Sequence, residues 1–135
     1  MTYIKTTLKI LAAPIIVLLV HFIIVPFNTY AIYPWIDVPM HFIGGLSIGI
    51  ATLTAINIFQ KKEFIPKFHN FFLFIIIISV VSLTAVSWEF FEFMLDFISP
   101  IKFQDSLKDT MFDLFLGLVG GMSSYSMRKL ARLSS

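Results

Sequence analysis

Apolar runs such as Phe74-Ile75-Ile76-Ile77-Ile78 constrain this chain more than any other feature, because water is a poor solvent for them. A hydrocarbon core of ~30 Å is crossed by a helix of ~20 mostly apolar residues. Four segments meet that length: 8–27, 39–59, 71–97 and 106–127. The composition agrees, with 58% hydrophobic residues, sixteen Phe and only 13% charged residues. The 135 residues amount to one domain at most, residues 1–135, and no linker or low-complexity stretch divides them. The expected fold is an all-α polytopic bundle of four transmembrane helices. Pro14 and Pro26 should kink or end the first span. The apolar stretch at 8–27 is long for a signal peptide and no small-x-small cleavage site follows, so it reads as a retained span.

Lys and Arg orient the bundle. Lys5 and Lys9 precede the first span, Lys61, Lys62 and Lys67 separate the second from the third, and Arg128, Lys129 and Arg132 follow the fourth. The connection before the second span has none, and the connection before the fourth has only Lys102 and Lys108. Basic residues favour the cytoplasmic side, which predicts a multi-pass protein of the inner (cytoplasmic) membrane with both termini in the cytoplasm. Tyr30, Tyr33 and Trp35 then lie at the outer interface as an aromatic belt. The net charge of +2 comes from these basic caps. No basic patch is interleaved with aromatics, so nucleic acid is not an expected partner. The absence of Cys excludes disulfides, thiolate nucleophiles and Cys-based metal centres.

Against this apolar background the acidic residues are patterned. Asp105, Asp109, Asp113, Gly117 and Gly121 follow one another at four-residue intervals. Four residues turn a helix by about 400°, so these side chains form one slowly drifting stripe. The second span has a counterpart in Asp37, His41, Gly45 and Gly49. Small residues at this spacing let helix backbones approach closely, so both glycine pairs should line helix contacts, with Ser124 facing lipid instead. Glu89, Glu92 and Asp96 lie within roughly a 60° arc of the third span. Three helices thus present acidic groups at one membrane face, with His41 the only imidazole among them. His21, in the middle of the first span, reads as a packed core histidine, and His69 as a solvated one.

Ionisable groups at membrane depth are costly and usually mark a functional site. Carboxylates with one imidazole suit a divalent metal ion, Mg²⁺, Mn²⁺, Ca²⁺ or Zn²⁺. The candidate ligands are His41, Glu89, Glu92, Asp109 and Asp113, and the candidate catalytic residues are His41, Glu89, Asp109 and Asp113. Asp37, Gln104 and Thr110 stand as supporting groups. Without a metal, one carboxyl group paired with His41 could act as a general acid or base. The alternative is structural: the acids are tied by Gln104, Ser106, Thr110, Lys102 and Lys108, and Asp37 and Asp105 only complement helix dipoles. Asp96 and Asp105 read as solvated. No phosphate loop, serine-nucleophile motif or H-E-x-x-H helix is present.

Asp37-Val38-Pro39-Met40-His41-Phe42, Trp88-Glu89 with Glu92, Gln104, and Asp109-Thr110-Met111-Phe112-Asp113 resemble the YjdF-type inner-membrane proteins and, more loosely, the VanZ-like membrane proteins. The resemblance runs from Asp37 to Gly121. Val38 stands where that pattern has a Lys, and Gln104-Asp105-Ser106 where it has Gln-Gly-Asp. It implies a small polytopic membrane protein, and for the VanZ-like group an association with glycopeptide resistance.

Three functions fit these residues: a metal-dependent enzyme acting on a lipid or lipid-linked substrate with water as nucleophile, a binding or transport module for a headgroup or ion, and a scaffold whose polar cluster fixes helix register. The partners expected are membrane lipids, with a homo-oligomer required for transport because four spans leave little room for a path. Reporter fusions at residues 33 and 65 should report opposite compartments, and an extracytoplasmic signal at 65 would invert the topology.

Overall fold

The computed structural model describes residues 2–99, 102–104 and 106–133, and among these every regular element is helical. Helix α1 covers Thr2–Ile24, α2 Thr29–Ile32, α3 Asp37–Lys61, α4 Asn70–Leu95 and α5 Leu107–Leu133. Helix α1 continues through Pro14, while Pro26, in a 3-10 turn at Val25–Phe27, follows its end. There the chain reverses: Asn28 takes a left-handed φ of 55°, and the Thr29 hydroxyl donates to the Ile24 carbonyl at 2.7 Å. A second 3-10 turn, Pro34–Ile36, leads into α3. Pro39 sits in the first turn of α3, where a missing N–H removes no intrahelical bond.

Three of the helical stretches are long and apolar enough to cross a membrane: Ile4–Phe27, Pro34–Lys61 and Asn70–Leu95. Helix α5 covers the expected fourth span but carries Asp109, Asp113, three glycines and several serines, too many for a span judged by composition. Its polarity has a packing reason. Helix α3 is the central helix, packed against α5, α1 and α4, and α5 lies chiefly against α3 and also against α4. The polar and small residues Asp113, Gly117, Gly120, Gly121 and Ser124 are buried on the packed face of α5, while Met111, Phe115 and Leu130 are exposed on the other.

Glycine decides how closely α3 and α5 approach. A Cβ on Gly45 would overlap the Gly117 carbonyl, and one on Gly120 would overlap the Phe42 carbonyl and Leu46 amide. Gly49 lies against the Ser124 hydroxyl, and Gly121 against Val81 of α4. Gly45, Gly49 and Gly121 therefore occupy tight contacts as their spacing predicts, and Gly120, outside both stripes, joins them. Gly117 contributes its backbone: a Cβ there would make ordinary contacts with Ala85 at 3.6 Å and the His41 carbonyl at 3.9 Å. Ser124 is corrected from lipid-facing to buried, at 2% exposure, because the small-residue face of α5 extends past Gly121 to this serine. Below the crossing, Leu53, Ile56, Leu73, Ile77 and Val81 form the apolar core.

Lipid offers hydroxyl groups no partners, and these helices supply their own. Thr54, Ser82, Thr84, Ser87 and Ser126 each donate to the carbonyl four residues earlier, over 2.7–3.1 Å. Such back-bonding makes Ser and Thr admissible on membrane helices. The glycine geometry predicts a contrast in thermal stability in detergent. Gly45→Ala and Gly120→Ala should each destabilise by about 1–3 kcal/mol or more through overpacking. Gly44→Ala, which meets nothing within 4 Å, and Gly117→Ala should be neutral or slightly stabilising, since Ala is the better helix former. Equal losses at all four positions would count against the close crossing.

Candidate functional site

A carboxylate has no proton to return to its own helix backbone, so buried acids must find donors elsewhere. In this chain they gather round His41. The Nε2 atom of His41 lies 3.3 Å from Asp37 Oδ1, one turn earlier on α3, and 3.8 Å from Asp113 Oδ1 on α5. Its Nδ1 atom lies 3.9 Å from Glu89 Oε1 on α4. Both ring nitrogens thus face acidic oxygens. Glu89, Glu92 and Asp113 are buried, and Asp37 is the most exposed member.

The outer oxygens of the cluster are held by neutral donors. Gln104 Nε2 reaches Glu89 Oε2 at 3.3 Å and its carbonyl at 3.2 Å, and the Thr110 hydroxyl also bonds Glu89. Trp88 Nε1 donates to Glu92 Oε1 over 2.9 Å from the preceding turn of α4. Among the described residues no buried side-chain nitrogen or oxygen lacks a hydrogen-bond partner.

Two sets of potential metal-ligand atoms lie within 4.8 Å of one another: Asp37, His41 and Asp113, and His41, Glu89 and Glu92. Of the sequence-derived candidates, His41, Glu89, Glu92 and Asp113 therefore come together. Asp37, expected only in support, belongs to the first set. Asp109 joins neither: it sits in the first turn of α5, its amide bonded to the Ser106 hydroxyl at 3.2 Å. Gln104 and Thr110 are in contact with Glu89, as supporting groups would be. The ion pairs of the cluster all involve His41 instead of Lys102 or Lys108. Asp96 is half-buried, not solvated, and its carboxylate accepts from the amides of Phe103 at 2.7 Å and Gln104 at 3.4 Å, which holds Gln104 beside Glu89. His69 is exposed and caps α4 through Nδ1. Asp105 lies outside the described residues.

A cavity of about 360 Å³ opens beside the cluster, between α1, α3 and α4. Asp37, His41 and Glu92 line it, and so do three groups that the spacing pattern did not single out: His21, Tyr30 and Trp88. His21 is buried, bonds the Tyr30 hydroxyl through Nδ1 at 2.8 Å, and packs edge-on against Trp88 with centroids 4.8 Å apart. It is packed as expected, yet on the cavity wall. Its rarity as an ionisable group at mid-span was the signal available. Burial, followed by the nearby Asp37 and Glu92 carboxylates, pushes the Tyr30 phenol above its ordinary value, so it stays protonated at neutral pH. Deeper in, the wall is made of Pro14, Val17, Leu18, Ile48, Val81 and Ala85.

Apolar helices of membrane-crossing length, around a buried acidic and imidazole cluster, define a polytopic helical membrane protein with an internal polar site. Residues 2–132 match the family described as "Predicted membrane protein (DUF2238)", and the chain belongs to that family. No curated protein and no solved structure matches it.

The cluster predicts a double-mutant coupling. His41→Gln removes the one imidazole facing several acids and should cost about 3–5 kcal/mol, the usual loss when a buried ion pair loses one partner. Adding Asp113→Asn should return at least about 1 kcal/mol in the double variant, as expected for residues in contact. Strict additivity in denaturant or thermal unfolding would mean that the two groups do not interact.

Proposed function

We propose that this protein is a metal-dependent membrane enzyme that hydrolyses a lipid or lipid-linked substrate at one face of the bilayer. The observation that carries this reading is the position of the His41 cluster at the polar end of a cavity whose remaining wall is apolar. Asp37, His41 Nε2 and Asp113 are the preferred ligands, a mixed oxygen and nitrogen set that suits Zn²⁺ or Mn²⁺ better than Ca²⁺. With Nε2 on the metal, the Nδ1 proton of His41 points to Glu89, the carboxylate–histidine pairing common behind metal-bound histidines. Gln104 and Thr110 hold Glu89 for that role. A metal in such a site supplies a water of lowered pKa as nucleophile. Glu92, bonded to Trp88 and facing the cavity, would be the residue to accept a proton there.

The same proposal counts α5 as a fourth span and sets both termini in the cytoplasm of a cell with an inner membrane. The basic residues support this arrangement. The site then faces outward. A metal bound only by the folded state at a hundred times its Kd should stabilise by about 2.7 kcal/mol. Thermal unfolding in detergent should therefore fall on chelation and recover with Zn²⁺ or Mn²⁺, and Asp113→Asn should abolish the response. Purified protein that carries no metal and shows no such shift would defeat the enzyme reading and leave the cluster as a device for helix register. Metal binding without turnover of vesicle lipids would reduce it to a binding module.

A further inference from the structure

We propose that the cavity takes up one hydrocarbon chain of a membrane lipid, entering sideways between α1 and α4, and so delivers the lipid's polar end to His41. This rests on the reading of the His41 cluster as a reaction site and names the substrate class as a chain-bearing bilayer lipid.

The chemistry of the wall is the first argument. Its only hydroxyls below the polar end are Ser47 and Thr84, and both are already committed to backbone carbonyls of their own helices, at Gly44 and Val80. Water passing inward would find only the acceptor lone pairs of these two hydroxyls there, and a buried water needs 2–4 partners. Hydrocarbon needs none. The space is also of the right order, since ligand cavities start at about 300 Å³. Along α3 the lining runs from His41 to Ile48, roughly 10 Å of depth at 1.5 Å per residue.

The way in is the second argument. Helix α1 packs chiefly on α3, and its facing to α4 is sparse. Leu18 of α1 and Thr84 of α4 each line the cavity and are also exposed on the outside of the bundle. The wall is thus open at hydrocarbon depth. One turn nearer the polar end, the edge-on contact of His21 with Trp88 closes it, holding the polar groups away from lipid tails.

The third argument is Gly44. It lines the cavity, and a Cβ there would meet nothing within 4 Å. A larger side chain at this position fills the cavity without disturbing the glycine crossing.

The test uses the full-length protein in vesicles of phosphatidylglycerol carrying a diazirine in one acyl chain. On irradiation, label should appear on cavity residues Val17, Val81 and Ala85 as well as on exposed Phe90. Gly44→Leu should cut the cavity labelling about fivefold or more and leave Phe90 labelling, thermal stability and the metal response unchanged. Thr84→Phe, on the exposed mouth, should do the same from outside, and serves if Gly44→Leu folds poorly. Label confined to the outer surface, or cavity labelling that survives both variants, would overturn the chain site. Loss of the metal response with cavity labelling intact would instead remove the enzyme reading and leave the chain site standing.

Discussion

The contact between Gly45 and the Gly117 carbonyl sets the geometry of everything above it. Helices α3 and α5 are separated by α4 alone, so they run in the same direction. His41 lies four residues before Gly45, and Asp113 four residues before Gly117. Where the two glycines touch, the two ionisable groups must stand one turn higher at equal depth, and they lie 3.8 Å apart. Between helices in lipid the hydrophobic effect gives no net drive, and close packing with polar contacts takes its place. Here the two are coupled through the chain. A backbone approach that only glycine permits brings the imidazole to the carboxylate, and that pair in turn fixes the rotation of both helices.

Polar groups inside this molecule fall into two kinds, separated by whether they own a proton to give. Thr54, Ser82, Thr84, Ser87 and Ser126 turn their hydroxyls back to their own helix and need nothing from a neighbour. Carboxylates cannot do this, and their desolvation is too costly to leave uncompensated. They therefore depend on side-chain donors: Gln104 from the connection before α5, Thr110 from α5, His41 from α3 and Trp88 from α4. Asp96 is part of the same logic at one remove, because it holds the backbone of the segment that carries Gln104. The result joins α3, α4 and α5 at one end, while the apolar core joins them at the other.

The periodic part of this design was legible in the sequence. The four-residue spacing of Asp37, His41, Gly45 and Gly49, and of Asp113, Gly117 and Gly121, defines a helix face directly, and both faces meet. The same spacing continues to Asp109. Four residues overshoot a full turn by about 40°, and Asp109, half-buried in the first turn of α5, lies near enough to act on the charge of Asp113 without joining either ligand set. Gly120 and Ser124 were not legible, since each contacts a neighbour through a face next to the stripe. Nor was the inward side of α1. That helix is apolar all round and mostly exposed, so no period marks the strip that carries Pro14, Val17 and His21.

The depth of the site follows from residues that take no part in it. Tyr33 and Trp35 are exposed immediately before Asp37, and amphipathic rings of this kind settle at the boundary between headgroups and hydrocarbon. Asp37 opens α3 at that level, His41 lies one turn inward, and Ile48 lies about two turns further. The polar cluster thus lies near that interface, and water, or the metal ion proposed above, would reach it through Asp37, its least buried member. The apolar end of the cavity lies at the depth of lipid tails. A group at the middle of the bilayer would meet chains but no water, and one outside the membrane would meet water but no chains. A belt of aromatics at the interface would hold this bundle at the one level where both are at hand, which is what the proposed hydrolytic chemistry on a lipid requires.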